Sequence, residues 1–171
     1  MKAAVYYENG GPEVLKYEEI PDPTCHPKGV IIRVEAIAIE GGDTLNRWRG
    51  PLMTNPHVVG YQAAGEIIEI GAEVTNVKVG QKVATVNNWG SHAELRSVPA
   101  RNCWPIPDGF DVRTAAPIPA TSPPAHDYPF AFGPIKKHDS LLVQARSPAT
   151  GLPALPLPKL PPRRRTPPPA P

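Results

Sequence analysis

Four polar side chains close to one another in the sequence or at strand ends could take part in chemistry: Glu40, Asp43, Tyr61 and Gln62. A phenol or an amide can donate a hydrogen bond to a ligand, and a carboxylate can orient one. Each residue also has a structural explanation. Asp43 is suited to cap a helix, Tyr61 could be a half-buried strand residue, and Glu40 could be a solvated strand end.

Short strands must position these side chains. The clearest strand pattern runs from Val30 to Glu40, where alternate residues from Ile32 to Ala38 share one apolar face. Similar patterns cover 2–7, 15–20, 63–70, 83–86, 91–98 and 104–107, and glycine or proline separates most of them. Asp43 is predicted to be the N-cap of a short helix that ends at Arg49. The pattern predicts a mainly β fold: a partly open β-barrel with short helices in its loops.

The composition changes near Ala116. Residues 1–116 carry 9 of the 25 prolines and a net charge of −3, whereas residues 117–171 carry 16 prolines and a net charge of +5. The sequence after Asp111 has a helical pattern, but an interior proline removes a hydrogen bond and clashes with the preceding turn. We therefore expect helical fragments there, and a proline-rich irregular tail beyond Arg146.

Several other classes of function have little support in the sequence. Cys25 and Cys103 are too few for a disulfide framework, and the isolated histidines His57 and His92 are expected to be structural. Three arginines, 163–165, have no aromatic residues interleaved, so no nucleic-acid partner is expected. Without a signal-peptide pattern or an apolar run of about 20 residues, we expect no membrane association and a cytoplasmic location.

The order of these features resembles the medium-chain dehydrogenase/reductase superfamily, in particular its zinc-free quinone oxidoreductase branch. The matching strings are MKAAVYY, AIAIEGGDTLNR, GYQAAGEIIEIGAEV, VKVGQKVA and GSHAELRSVPA followed by WPIPDG. The resemblance implies a GroES-like substrate-side domain over residues 1–116, followed by a Rossmann domain that holds NADPH. It also implies hydride transfer from NADPH to a quinone or an enone, with the protein positioning the cofactor.

The resemblance also bears on zinc. Zinc-dependent relatives place a cysteine just before the first short helix and a His-Glu pair after the glycine that opens the strand of the 60s. Here those positions hold Ile39-Glu40-Gly41 and Tyr61-Gln62, and the four-cysteine structural lobe is missing. Because catalytic zinc needs three ligands of the Cys, His or carboxylate type, no zinc is expected. Tyr61 and Gln62 then become the candidate donors to a carbonyl, with Glu40 and Asp43 as orienting groups.

The cofactor half departs from the family pattern. The strand at 141–145 fits a Rossmann start, but the following loop, RSPATG, keeps only Gly151 of the expected glycines. Gln144, Ala145 and Gly151 are the candidate cofactor-binding residues. Prolines interrupt the helix that should follow. Either they replaced other residues of a Rossmann start, or the coding sequence was read incorrectly. Residues 117–171 are therefore expected to be a degenerate start of the cofactor domain. The chain would be an incomplete catalyst that binds NADPH weakly and lacks the family's dimer edge.

The alternative is an interaction protein whose tail is the working part. The segment from Pro158 to Arg163, PKLPPR, matches the PxxPxR arrangement that SH3 domains bind in polyproline II form. Proline-rich composition produces this motif often by chance.

Overall fold

The structure is a computed structural model that describes residues 1–127. The predicted strand at 141–145, the cofactor candidates Gln144, Ala145 and Gly151, and the PxxPxR segment lie outside the described residues. The chain divides into two compact units, Met1–Ala120 and Thr121–Pro171. The sheets and the candidate site belong to the first unit.

Eight strands and three α-helices occur in the described part of the chain. The strands are β1 (Lys2–Tyr6), β2 (Lys16–Glu19), β3 (Gly29–Ala38), β4 (His57–Val58), β5 (Gln62–Ile70), β6 (Lys82–Val86), β7 (Leu95–Pro99) and β8 (Cys103–Pro105). The helices are α1 (Gly41–Arg49), α2 (Val112–Ala115) and α3 (Ile118–Asp127), and two 3₁₀ turns lie at Pro12–Val14 and Ala100–Asn102. The prediction of a mainly β fold with short helices is confirmed.

The strands form two open antiparallel sheets. The larger has the order β7-β3-β5-β6-β8, and the smaller has the order β2-β1-β4. The pairing of β3 with β5 is irregular between Val34 and Ala36, where a bulge shifts the register. The two-residue strand β4, which pairs with the end of β1, has no pattern long enough to be predicted from sequence.

The larger sheet buries one apolar face. Val30 and Ile32 of β3 are fully buried against Ile67 of β5 and Val98 of β7. These four belong to strands that are adjacent in the sheet, so the predicted alternation of β3 is what forms this core. Burying a side chain of this size stabilises a fold by about 1.5–3 kcal/mol. The core therefore fixes the strands whose ends carry the candidate site.

The start of α1 corrects one prediction. The N-cap is Glu40, with extended backbone angles, and Asp43 is the third helical residue. The Asp43 carboxylate nevertheless satisfies an otherwise unpaired donor of the helix start, because its Oδ2 accepts the Glu40 N–H at 2.8 Å. Asp43 thus caps the helix from inside its first turn.

The helices after Asp111 follow the prediction only in part. Asp111 caps α2, since its Oδ2 accepts hydrogen bonds from the Thr114 N–H and hydroxyl, both at 2.8 Å. The helical pattern is interrupted at Pro117, between α2 and α3. It is not interrupted at Pro123 and Pro124, which lie inside α3 and each withhold one backbone donor.

The two cysteines are expected to differ in reactivity. Cys103 is 6% exposed, and burial raises the pKa of its thiol to about 12. Cys25 is half-buried. Because the thiolate is the nucleophile, iodoacetamide at pH 8 should modify Cys25 readily and Cys103 more than about a hundredfold more slowly. Peptide mass spectrometry over time measures both rates. Urea-unfolded chain is the control, in which the two should react alike, and equal rates in the folded chain would contradict the buried placement of Cys103.

Candidate functional site

The N-terminus of α1 and the first residue of β5 meet through their side chains. The amide Nε2 of Gln62 donates to Oε1 of Glu40 at 2.5 Å, and the Gln62 side chain is fully buried. Its Oε1 accepts the backbone N–H of Ala120 at 3.0 Å. Gln62 therefore holds the Glu40 carboxylate in place with one end of its amide and a backbone group with the other.

Asp43 lies on the buried side of the same helix start. Its side chain is 4% exposed, and besides the Oδ2 contact with Glu40 its Oδ1 has no hydrogen-bond partner among the described residues. Nε2 of His92 lies 4.0 Å from Oδ2. A buried carboxylate oxygen without a donor is costly, which makes Asp43 more than a capping residue.

Tyr61 packs its ring against the helix start. A Cβ atom at Gly42 would collide with the ring, so glycine at this position is what allows the approach. Tyr61 is half-buried, and its hydroxyl donates to no group within residues 1–127. The phenolic proton therefore has no acceptor within the described residues.

Gly60 sets the direction of the chain into Tyr61 and Gln62. Its φ is +109°, a conformation that L-residues with a side chain rarely adopt. A Cβ at this position would contact both the hydroxyl of Ser91 and the ring of His92. Only glycine lets the turn before β7 approach the start of β5 this closely.

Arg96 braces the same region from β7. Its guanidinium donates to the carbonyl oxygens of Tyr61 at 2.7 Å and Trp89 at 3.1 Å, and to Oγ1 of Thr85 at 2.8 Å. The residue is 2% exposed, and burial lowers its pKa to about 10, so it remains charged at neutral pH. The charge is held by neutral acceptors rather than by a directly bonded carboxylate.

Burial lowers the pKa of both His57 and His92, and the neighbouring Asp43 opposes this effect at His92. Nδ1 of His57 accepts the backbone N–H of Met53 at 3.1 Å, so that nitrogen is unprotonated. Protonation of either ring therefore disfavours the folded state.

This predicts an acid-sensitive fold. Folded-state pKa values below the ordinary 6.5 mean that the unfolded chain binds protons first as the pH falls through 6.5. The free energy of unfolding should be constant above about pH 7.5. It should fall by at most about 1.4 kcal/mol per histidine by pH 5.5, one unit below the ordinary value. Urea unfolding at both pH values measures this, and His57→Gln should reduce the dependence. A fold that becomes more stable between pH 7.5 and 5.5 would contradict the assignment.

The structure thus brings together all four residues singled out from sequence. Glu40 contacts Gln62 and Asp43, and the Tyr61 ring lies against the glycine beside them. Ser91, His92 and Arg96 were not predicted to belong to the site, because their positions depend on long-range packing. The one available signal was the string GSHAELR, in which polar residues enter an apolar strand pattern.

The described residues include no group of three or more His, Cys, Asp or Glu side chains arranged to hold a metal ion. None of the helices within residues 1–127 is long and apolar enough to cross a membrane.

The amino-acid sequence is similar to those of known oxidoreductases. Residues 26–108 match the alcohol dehydrogenase GroES-like domain. A quinone oxidoreductase of Pseudomonas aeruginosa is 35% identical over 111 residues, which are 64% of this chain and 34% of that protein. An L-threonine 3-dehydrogenase of Bacillus velezensis is 32% identical over 147 residues, covering 68% of this chain and 42% of that protein.

The fold is also similar to those of solved oxidoreductase structures. A mycobacterial protein crystallised with NADPH superposes with a TM-score of 0.83 at 29% identity, covering 90% of this chain and 48% of that one. A quinone oxidoreductase of Pseudomonas syringae gives 0.81 at 27% identity, covering 88% and 47%. The chain therefore spans less than half the length of these relatives.

Proposed function

Because this chain belongs to the medium-chain dehydrogenase/reductase superfamily and carries its GroES-like domain, we propose that residues 1–116 form the substrate side of a zinc-independent, NADPH-dependent quinone or enone oxidoreductase. The observation that carries this proposal is the contact set of Glu40, Asp43, Tyr61 and Gln62 at one end of the β sheets. The Tyr61 phenol has no hydrogen-bond partner within the described residues, and the Glu40 and Asp43 carboxylates are held in place. The buried Tyr6 phenol is also without a partner there.

The donor set does not fit zinc. At the three positions where zinc-dependent relatives carry ligands, the chain offers a carboxylate, a phenol and an amide, and the carboxylate is already bonded by the amide. Zinc in catalytic sites takes Cys, His and carboxylate ligands, so two of the three groups are of the wrong type. Polarisation of a substrate carbonyl then falls to a hydrogen-bond donor.

Tyr61 is the residue best suited to that role. Its hydroxyl is unbonded within the described chain, whereas the Gln62 amide is fully buried and is used at both ends. We therefore assign donation to Tyr61, and assign to Gln62 the positioning of Glu40. Glu40 and Asp43 orient the ligand from the helix start. NADPH, when bound, would supply the hydride, and the groups proposed to contact it, Gln144, Ala145 and Gly151, lie outside the described residues.

Two relatives suggest different substrates, so the experiment compares them. The full ¹⁵N-labelled chain is titrated with 1,4-naphthoquinone and, separately, with L-threonine, and amide NMR shifts are followed. The proposal expects saturable shifts at 40–43 and 60–62 with the quinone, and none there with threonine. Threonine shifts at these residues, or quinone shifts confined to other surfaces, would overturn it. The SH3-ligand alternative rests on the segment 158–163, and no comparison supports it.

A further inference from the structure

Three buried side-chain atoms near the start of α1 and the turn before β7 have no hydrogen-bond partner within residues 1–127: Oδ1 of Asp43, Oγ of Ser91 and Nε2 of His92. The Ser91 hydroxyl and the His92 ring both reach the point where a Cβ on Gly60 would lie. Nε2 of His92 also lies 4.0 Å from Oδ2 of Asp43. An imidazole nitrogen and a carboxylate are thus enclosed together, in a place where unpaired polar atoms are costly.

The two side chains differ in their access to solvent. The Asp43 side chain is 4% exposed, and the His92 side chain is 13% exposed, although its Nε2 is buried. The part of the side chain that reaches water is therefore not Nε2, and Nδ1 is not among the buried atoms that lack a partner. The imidazole spans the distance between solvent and the enclosed carboxylate, and an imidazole can take up a proton on one nitrogen and release it from the other.

Two charges act on a proton at Nε2. Asp43 on α1 favours it, whereas Arg96 on β7 and the burial of the ring oppose it. The guanidinium of Arg96 is fixed by backbone carbonyls and by Thr85, so its opposing charge does not move. Burial is the largest of these effects and holds the pKa of His92 below its ordinary value, and Asp43 is the one of the three that favours the proton.

We propose that His92 and Asp43 form the proton-carrying pair of the site, with the proton on Nε2 of His92 and the Asp43 carboxylate stabilising it. This role rests on the proposed function. Reduction of a quinone or enone by NADPH would consume one hydride and one proton. The protonated imidazole would pass its Nε2 proton to the Asp43 carboxylate, and the resulting carboxyl group would pass it to the substrate oxygen and become a carboxylate again. The imidazole becomes neutral and regains a proton from water through its exposed part. Since Nε2 is enclosed, His92 acts through Asp43 and does not contact substrate.

The test is an NMR titration of the full chain with ¹³C-labelled histidine, which needs neither cofactor nor substrate. His92→Gln assigns the His92 signal. Asp43→Asn keeps an acceptor for the Glu40 N–H but removes the charge. It should lower the titration midpoint of His92 by about one pH unit, the smaller end of the effect of an opposite charge at 4–6 Å. Asp43→Glu should restore most of the midpoint, and His57 should titrate unchanged in every variant.

An unchanged His92 midpoint in Asp43→Asn would overturn the proposal. If that variant does not fold, the wild-type chain gives the answer. The ¹³C shift of the Asp43 carboxyl should then move with the His92 midpoint, and a carboxyl signal that stays constant across it would also overturn the pair. Failure of naphthoquinone binding would contradict the proposed function but would leave the His92 and Asp43 NMR titrations unchanged. Failure of the proposed function and failure of the proton-carrying pair can therefore be distinguished.

Discussion

Replacing Arg96 with methionine is expected to reduce the free energy of unfolding by about 2–4 kcal/mol, although methionine fills a similar volume. The substitution removes the donors that satisfy the Tyr61 and Trp89 carbonyl oxygens and the Thr85 hydroxyl. A buried acceptor left without its donor costs about 1–3 kcal/mol. The gain from no longer burying a guanidinium offsets part of this loss, which is why the expected total is smaller than the sum of three lost bonds.

The matched control is Arg33→Met on β3. Arg33 is exposed and its nearest partner, Glu66, lies 3.7 Å away, so the change should cost less than about 1 kcal/mol. Urea unfolding followed by tryptophan fluorescence measures both variants. Similar stabilities for the two would mean that the Arg96 hydrogen bonds do not support the fold.

Gly60→Ala is expected to destabilise the fold by about 2–4 kcal/mol and to disrupt the candidate site. The φ of +109° imposes about 1–3 kcal/mol of backbone strain on any residue with a Cβ. The new methyl group would also collide with Ser91 and His92. To relieve that collision the turn before β7 must move away from Tyr61.

Gly80→Ala separates the two effects. Gly80 also has a positive φ, +82°, but a Cβ there would meet nothing within 4 Å. Its substitution should show the strain alone, at about 1 kcal/mol. Equal losses in the two variants would show that the approach of Ser91 and His92 to Gly60 is unimportant. Thermal unfolding measures both, and the NMR shifts of residues 40–43 report whether Gly60→Ala disturbs the site.

Strands with clear alternation could be predicted from sequence, because period-2 burial is a local property. The strand from Val30 is the best case, and it pairs with β5 and β7 as a buried strand should. The two residues of β4 could not be predicted, since their pairing with β1 arises from a partner about 50 positions away. The helix start was predicted close to its observed place, but Glu40 rather than Asp43 is the cap.

The candidate site divides in the same way. The family resemblance indicated carbonyl chemistry, and it singled out Glu40, Asp43, Tyr61 and Gln62 together because of their positions in the matching strings. The specific pairings could be seen only in the structure. The Gln62 amide bonds Glu40 at one end and the Ala120 backbone at the other, and the Tyr61 hydroxyl has no partner within the described residues. His92 and Arg96 could not be assigned from sequence, because a single histidine or arginine in a strand pattern is most often structural or exposed.

The proposed site depends on Tyr61 as its hydrogen-bond donor and needs no zinc. Calorimetric titration of the full chain with 1,4-naphthoquinone, with and without EDTA, tests this most directly. We expect the same affinity under both conditions and a roughly fivefold to tenfold loss in Tyr61→Phe, the effect of one neutral hydrogen bond. Tyr17→Phe, at a side chain 72% exposed on β2, should bind like the wild type. Full affinity in Tyr61→Phe would contradict the role of Tyr61 as donor, and loss of binding in EDTA would contradict a site without zinc.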